Sequence, residues 1–297
     1  MEILPSRPPS RRLALLMGVL VALFAYYMLR TWWWPDRVLE TAHYAVRSDA
    51  TPEQTQTVAD ALEALHTAYY EVFSDLPGLD REHERLVVNL YRDRAQFRRC
   101  HPKVTWAEAL YARGKCHAYY GVEGLAPYQW MLHEATHQLN DLAAHLSIPQ
   151  WINEGIAEYF GTGRYADGVL QPGEPDPDAY PVSCIYDVGF SGDLEEDLGA
   201  GRVIPLRAIV TGEGGPDMDE KFSLYYLHWW SITDYLMKHD GGALRPAYFR
   251  LMRDSRGLKP FERHIGPVDE VQRAWYEHLL ELKRQLTAPP ASPPAPS

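Results

Sequence analysis

Cysteine is scarce in this chain. Three Cys in 297 residues, at 100, 116 and 184, exclude a disulfide-stapled scaffold, and none of them has the look of a nucleophile. Positive charge is also short, with 29 Lys and Arg against 40 Asp and Glu, a formal net charge of −11. The first 35 residues run the other way, carrying four Arg and one Glu, so the remainder is more acidic than the total suggests. An acidic body excludes nucleic acid and anionic lipid as main partners, because both are polyanions. No internal repeat is present. What the chain does have is apolar mass: 46% hydrophobic residues, nine Trp and 19 Tyr, enough for a packed core in one large domain or two small ones.

Long uncharged runs are absent except for one, Leu13 to Leu29, which ends at Arg30 and Trp32-Trp33-Trp34. At ~1.5 Å per residue this run is at the lower limit for crossing a bilayer, and the Trp cluster extends it into the interface. The basic flank Arg7, Arg11 and Arg12 predicts a cytoplasmic N-terminus for residues 1–12, an anchor at 13–34 and a body on the far side of the membrane. A cleaved signal peptide is the rival, but no small-x-small cleavage site follows the run. At the other end, residues 287–297 read as a disordered Pro-rich tail.

Between these segments, residues 36–286 alternate strand and helix signals. His43 to Arg47 reads as a short strand, Thr51-Pro52-Glu53 opens a helix to about Phe73, and Leu86 to Tyr91 is a better strand. Asp93 to Arg99 suggests a short helix and Cys116 to Val122 a further strand. Glycines and prolines from 161 to 181 mark loops. Asp193, Glu195, Glu196 and Asp197 lack the ligand spacing of a calcium loop and read as a solvated surface. Helices follow at Phe222 to Lys238, Pro246 to Arg253 and Asp269 to Leu286. This order predicts an α+β domain.

The chemistry lies in His133-Glu134-Ala135-Thr136-His137 and, shortly after, Asn153-Glu154-Gly155-Ile156-Ala157-Glu158. Pro127 suits a first helical turn, and Trp130, Met131, Leu139, Leu142, Ala143 and Leu146 recur at helical spacing. On that helix His133 and His137 stand four apart on one face and can bind one ion, with Glu134 beside them as a base. Pro149 breaks the chain, and Trp151, Ile152, Ile156, Tyr159 and Phe160 give a second helix an apolar face, closed by Gly161. Glu154 and Glu158 repel on a bare helix. Their spacing becomes useful if Glu154 is a third metal ligand and Glu158 accepts the ring N–H of a ligand histidine.

The H-E-x-x-H pattern followed by W-x-N-E-G-x-A-E-Y resembles the gluzincins, the zinc peptidases whose third ligand is a glutamate. The aminopeptidase branch has a similar W-L-N-E-G-F-A. Over about thirty residues the likeness implies a zincin-like fold, Zn2+ held by His133, His137 and Glu154, Glu134 as general base, and a peptide or protein substrate. In such folds a strand before the metal helix forms the sheet edge along which substrate lies, a place that Cys116 to Val122 would fill. An oxyanion donor is expected on a later helix; Tyr226 matches best, with Tyr225 and His228 as rivals and core aromatics as the plain alternative. The G-x-M-E-N segment that holds a substrate amine in the aminopeptidases has no match in Gly121-Val122-Glu123-Gly124, which points to endopeptidase action. The closer likeness is to small membrane-anchored or secreted bacterial gluzincin-like domains. A non-catalytic envelope protein that keeps the fold for binding or sensing is the alternative.

The pairs Cys100-His101 and Cys116-His117 are adjacent in sequence, so their side chains diverge on a strand rather than form a second metal site. A Cys100–Cys116 disulfide is expected if the body lies in an oxidising compartment, with unpaired thiols as the alternative.

Overall fold

The computed structural model describes residues 11–31, 33–104, 107–121, 128–254 and 256–287. Pro127, most of the Gly121–Gly124 segment and the tail beyond 287 lie outside the described residues. The architecture is mixed α+β, a five-stranded sheet with helices. Helix α1 (Arg11–Thr31) carries the uncharged run, and its described apolar side chains, Leu15 and Phe24 among them, are exposed. Among the described residues no helix is long and apolar enough to cross a membrane, so the fold lends no support to the anchor expected at 13–34.

Strands β1 (Arg37–Glu40) and β2 (Tyr44–Ser48) lead into α2 (Pro52–Val72). A reciprocal cap starts α2: Thr51 Oγ1 accepts from Gln54 N (3.2 Å), and Gln54 Oε1 accepts from Thr51 N (3.1 Å), with Pro52 in the first turn. Strand β3 (Leu86–Tyr91) is buried on both faces. Leu86, Val88 and Leu90 join the main core, whereas Tyr91 packs with Phe97 and Tyr119 in a separate cluster under α3 (Arg94–Cys100).

Strands β4 (Ala109–Ala112) and β5 (Lys115–Tyr119) complete the sheet in the order β1-β2-β3-β5-β4, with β2, β3 and β5 parallel and both outer strands antiparallel. The strand expected at Cys116 to Val122 is therefore interior, and the edge is β4. The cause is a two-residue hairpin: Arg113 and Gly114 both take positive φ, 52° and 73°, and fold β4 back along β5.

Helices α4 (Gln129–Leu142) and α5 (Gln150–Gly161) pack on each other, and α5 packs on α8 further along. The stretch expected to be loops holds the hairpin β6 (Gly163–Ala166) and β7 (Val169–Pro175); after it come a 3-10 turn at Val182–Tyr186 and the short helices α6 (Leu194–Gly199) and α7 (Leu206–Thr211). Asp197 is not solvated surface. It is fully buried and accepts from Arg202 Nε (2.6 Å), Tyr276 Oη (2.5 Å) and Ser191 N (3.1 Å), while Asp193 caps α6 through Glu196 N (2.9 Å). Helix α8 (Phe222–Gly242) loses helical geometry at His239, and α9 (Arg245–Met252), α10 (Leu258–His264) and α11 (Val268–Thr287) close the domain. All three cysteines are free thiols; Cys116 is buried and donates to Gln138 Oε1 (3.4 Å), so no Cys100–Cys116 bridge forms.

Candidate metal centre

Helix α4 presents His133 and His137 one turn apart, and α5 presents Glu154 and Glu158 one turn apart on the facing side. The two Nε2 atoms stand 3.1 Å from each other and 3.4 Å and 3.6 Å from Glu154 Oε2. Three ligands of one tetrahedral ion at zinc-ligand bond lengths stand about 3.3 Å apart. The triangle fits that requirement, and among the described residues it is the one group of three such donors within 4.8 Å. The two imidazole rings meet edge to face, with centroids 4.7 Å apart.

Behind this triangle, Glu158 Oε1 lies 3.1 Å from His133 Nδ1. Glu158 is 2% exposed, so its carboxylate has His133 in place of water. Burial raises the Glu158 pKa, against the pull of His133. For His133 burial opposes charge, but Glu158, then Glu154 and Glu134, outweigh it and raise the pKa well above the usual imidazole range. Burial acts on Glu154 too, yet its contacts with both histidines hold it below the usual carboxylate range. His137 Nδ1 is buried and has no hydrogen-bond partner among the described residues, and the His133 Nδ1–Glu158 Oε1 approach is a charge contact without hydrogen-bond geometry.

A cavity of about 480 Å³ opens onto these atoms between β4, α4, α5 and α8. Glu134 lies on its wall, its pKa raised by burial despite His133 and His137 nearby. Tyr111 of β4 donates to Asp141 Oδ2 (2.6 Å), which ties the edge strand to α4 at the cavity rim. Tyr226 of α8 also lines the cavity. Its ring is 6.5 Å from that of His133, and burial together with the Glu154 carboxylate raises its pKa. The two rivals lie elsewhere. Tyr225 donates to Pro216 O (2.9 Å) in a separate cavity, and His228 is buried, with Nδ1 donating to Leu224 O (2.6 Å) and Nε2 accepting from Ile204 N (3.4 Å).

Two further residues hold the site and escaped the sequence reading. Asn140 Nδ2 donates to Asn153 Oδ1 (3.1 Å), linking α4 to α5 beside Glu154, and Asn140 Oδ1 accepts from Tyr69 of α2 (2.8 Å). The signal for Asn153 was present, since it stands inside the W-x-N-E-G stretch. Gly155 of the same stretch is where α8 crosses: a Cβ there would lie 2.5 Å from Trp229 O. Comparison with protein-family models and with curated protein sequences returns no match.

Proposed function

We propose that the protein is a zinc-dependent peptidase of the gluzincin type, acting within peptide or protein substrates. The observation that carries this reading is the His133–His137–Glu154 triangle with Glu134 on the same cavity wall. Two imidazoles and a carboxylate at tetrahedral spacing, with room for a fourth ligand, suit a catalytic zinc. A zinc ion bound there supplies a Lewis acid that acidifies water and polarises the scissile carbonyl. Glu134 takes the water's proton and passes it to the leaving amine, and its raised pKa suits a group that must both accept and give. Tyr226, kept protonated, donates to the developing oxyanion. Glu158, its carboxylate 3.1 Å from His133 Nδ1, holds that ring by charge from behind. The edge strand β4 offers its outer backbone groups to an extended peptide. The missing amine-recognition segment favours an endopeptidase. Attachment to the cell membrane through the N-terminal helix, with the catalytic domain outside the cytoplasm, belongs to the same proposal and draws on the exposed apolar side chains of α1.

The test is cleavage of a denatured generic protein by the full-length chain, with and without a chelator, beside Glu134→Gln. Chelator-sensitive cleavage is expected, abolished in Glu134→Gln while that variant keeps its metal. Turnover by Glu134→Gln would refute the mechanism.

A further inference from the structure

Three of the chain's 12 histidines gather away from this cavity, where β2 and β3 begin. His43 directly precedes β2, His66 lies in the middle of α2, and His83 is in the segment leading to β3. Leu86 N donates to His43 O (2.8 Å), so the two strand starts are tied together. His66 and His83 meet Nε2 to Nε2 at 3.2 Å. That is nearly the separation of His133 and His137, and it is the spacing two imidazoles need to share one tetrahedral ion, about 3.3 Å.

The hydrogen bonds around the cluster fix which nitrogen of His83 and of His43 carries the ring proton. His83 Nδ1 lies 2.8 Å from the carbonyl oxygen of Glu84, which only accepts, so the ring proton sits on Nδ1 and Nε2 offers its lone pair. His43 is held the same way, with Nδ1 2.6 Å from Glu63 Oε2. Glu63 also accepts from the backbone N–H of His43 (2.8 Å) and from Thr41 Oγ1. The His43 ring lies flat against that of His66, with centroids 3.6 Å apart and planes 12° apart, which places a third imidazole beside the pair. An imidazole whose far nitrogen is tied to a carboxylate or carbonyl is the usual arrangement of a histidine ligand. His66 is buried, and burial pushes its pKa down to about 4, so it is neutral at pH 7. His43 and His83 are partly exposed, so an ion can enter from solvent. Arg81, over the Tyr70 ring at 5.8 Å, is a neighbouring cation, and Glu63 is the carboxylate paired with His43.

We propose that His66 and His83 form a second metal site, completed by solvent, for a divalent ion that prefers imidazole, with Zn2+ as the probe. Imidazole donors with no thiolate and no direct carboxylate select such ions over Mg2+ or Ca2+. Only two donor atoms are already converged, against three at the first site, so the second ion binds more weakly. It pins the segment before β3 to α2.

The test is the number of Zn2+ ions bound per full-length chain, read by equilibrium dialysis and elemental analysis. Two equivalents are expected for the wild type and one for His83→Asn, which replaces a partly exposed side chain. The double variant His133→Ala/His137→Ala should keep one equivalent and lose it when His83→Asn is added. If that double variant does not fold, the wild type and His83→Asn still decide the matter. Mg2+ in place of Zn2+ should not fill the second site. Unchanged stoichiometry in His83→Asn would overturn the proposal and leave His66 and His83 as an N–H···N hydrogen bond. A single wild-type equivalent that His83→Asn removes would instead support this site and count against the first, so the two failures are distinguishable.

Discussion

Gly155 is the position where a single methyl group should do most harm to the proposed metal centre without touching one of its proposed ligands. It follows Glu154 in α5, where α8 crosses. A Cβ built on it lies 2.3 Å from Thr233 Oγ1 and 2.5 Å from Trp229 O, both inside the 3.0 Å that real Cβ contacts essentially never breach. The Thr233 hydroxyl can rotate away. The Trp229 oxygen belongs to the α8 backbone and cannot, so α5 and α8 must part by roughly half an ångström or more. Overpacking of a well-filled interface costs about 1–3 kcal/mol, and a rigid backbone opponent puts this case at the upper end. Against it stands the helix preference of Ala over Gly, about 1 kcal/mol. The clash wins, and Gly155→Ala should lose about 2 kcal/mol.

The same separation draws Tyr226, on α8 one turn before Trp229, away from Glu154. Activity should therefore fall further than stability alone explains. Urea unfolding followed by circular dichroism measures the first effect, and turnover well below the unfolding range measures the second. Gly199→Ala is the control, because a Cβ on that helical glycine meets nothing within 4 Å, and it should be neutral or slightly stabilising. If Gly155→Ala were as stable as the wild type, the close approach of α5 and α8 would not be what that glycine serves.

Other consequences can be measured separately. On the proposed mechanism, Tyr226→Phe should lower kcat about 10²- to 10³-fold with unchanged zinc content, the cost of losing one oxyanion donor; the same loss in Tyr225→Phe instead would reassign the role. Asp197→Ala should cost about 2–3 kcal/mol in chemical denaturation, because it removes the buried acceptor shared by Tyr276 Oη, Arg202 Nε and Ser191 N. His228 should make stability depend on pH. Burial pushes its pKa down to about 4 from 6.5, so between those values the unfolded chain binds more protons. Its contribution is present above about pH 6.5 and is lost as pH falls toward 4, by about 3 kcal/mol in all. His228→Gln should flatten that part of the urea-midpoint profile, and an unchanged slope would assign it to other groups.

How far the sequence could be read depended on the range of the interactions involved. Helices α4 and α5 were legible because donor spacing and apolar spacing coincide on each. Strands β2 and β3 and the cap of α2 are likewise local. Strand β4 was missed, since four residues closed by Arg113-Gly114 give a weaker hairpin signal than Asn-Gly. Asp167-Gly168 is a strong hairpin signal, with both residues at positive φ, but Pro172 and Gly173 in the flank disguised β7 as loop. Asp197 was only partly open to local reading: Ser191 and Arg202 are near in sequence, but Tyr276, 79 residues further on, helps bury its carboxylate. Tyr225 and Tyr226 both lie within a turn of Trp229, so periodicity alone does not separate them. The Pro216 carbonyl does, by engaging the Tyr225 hydroxyl. The N-E-G stretch shows the same division. Its Glu speaks for donor atoms and could be read as such. Its Asn and Gly speak for partners on other helices, Asn140 on α4 and Trp229 on α8, and so acquire meaning only once α5 is packed between them.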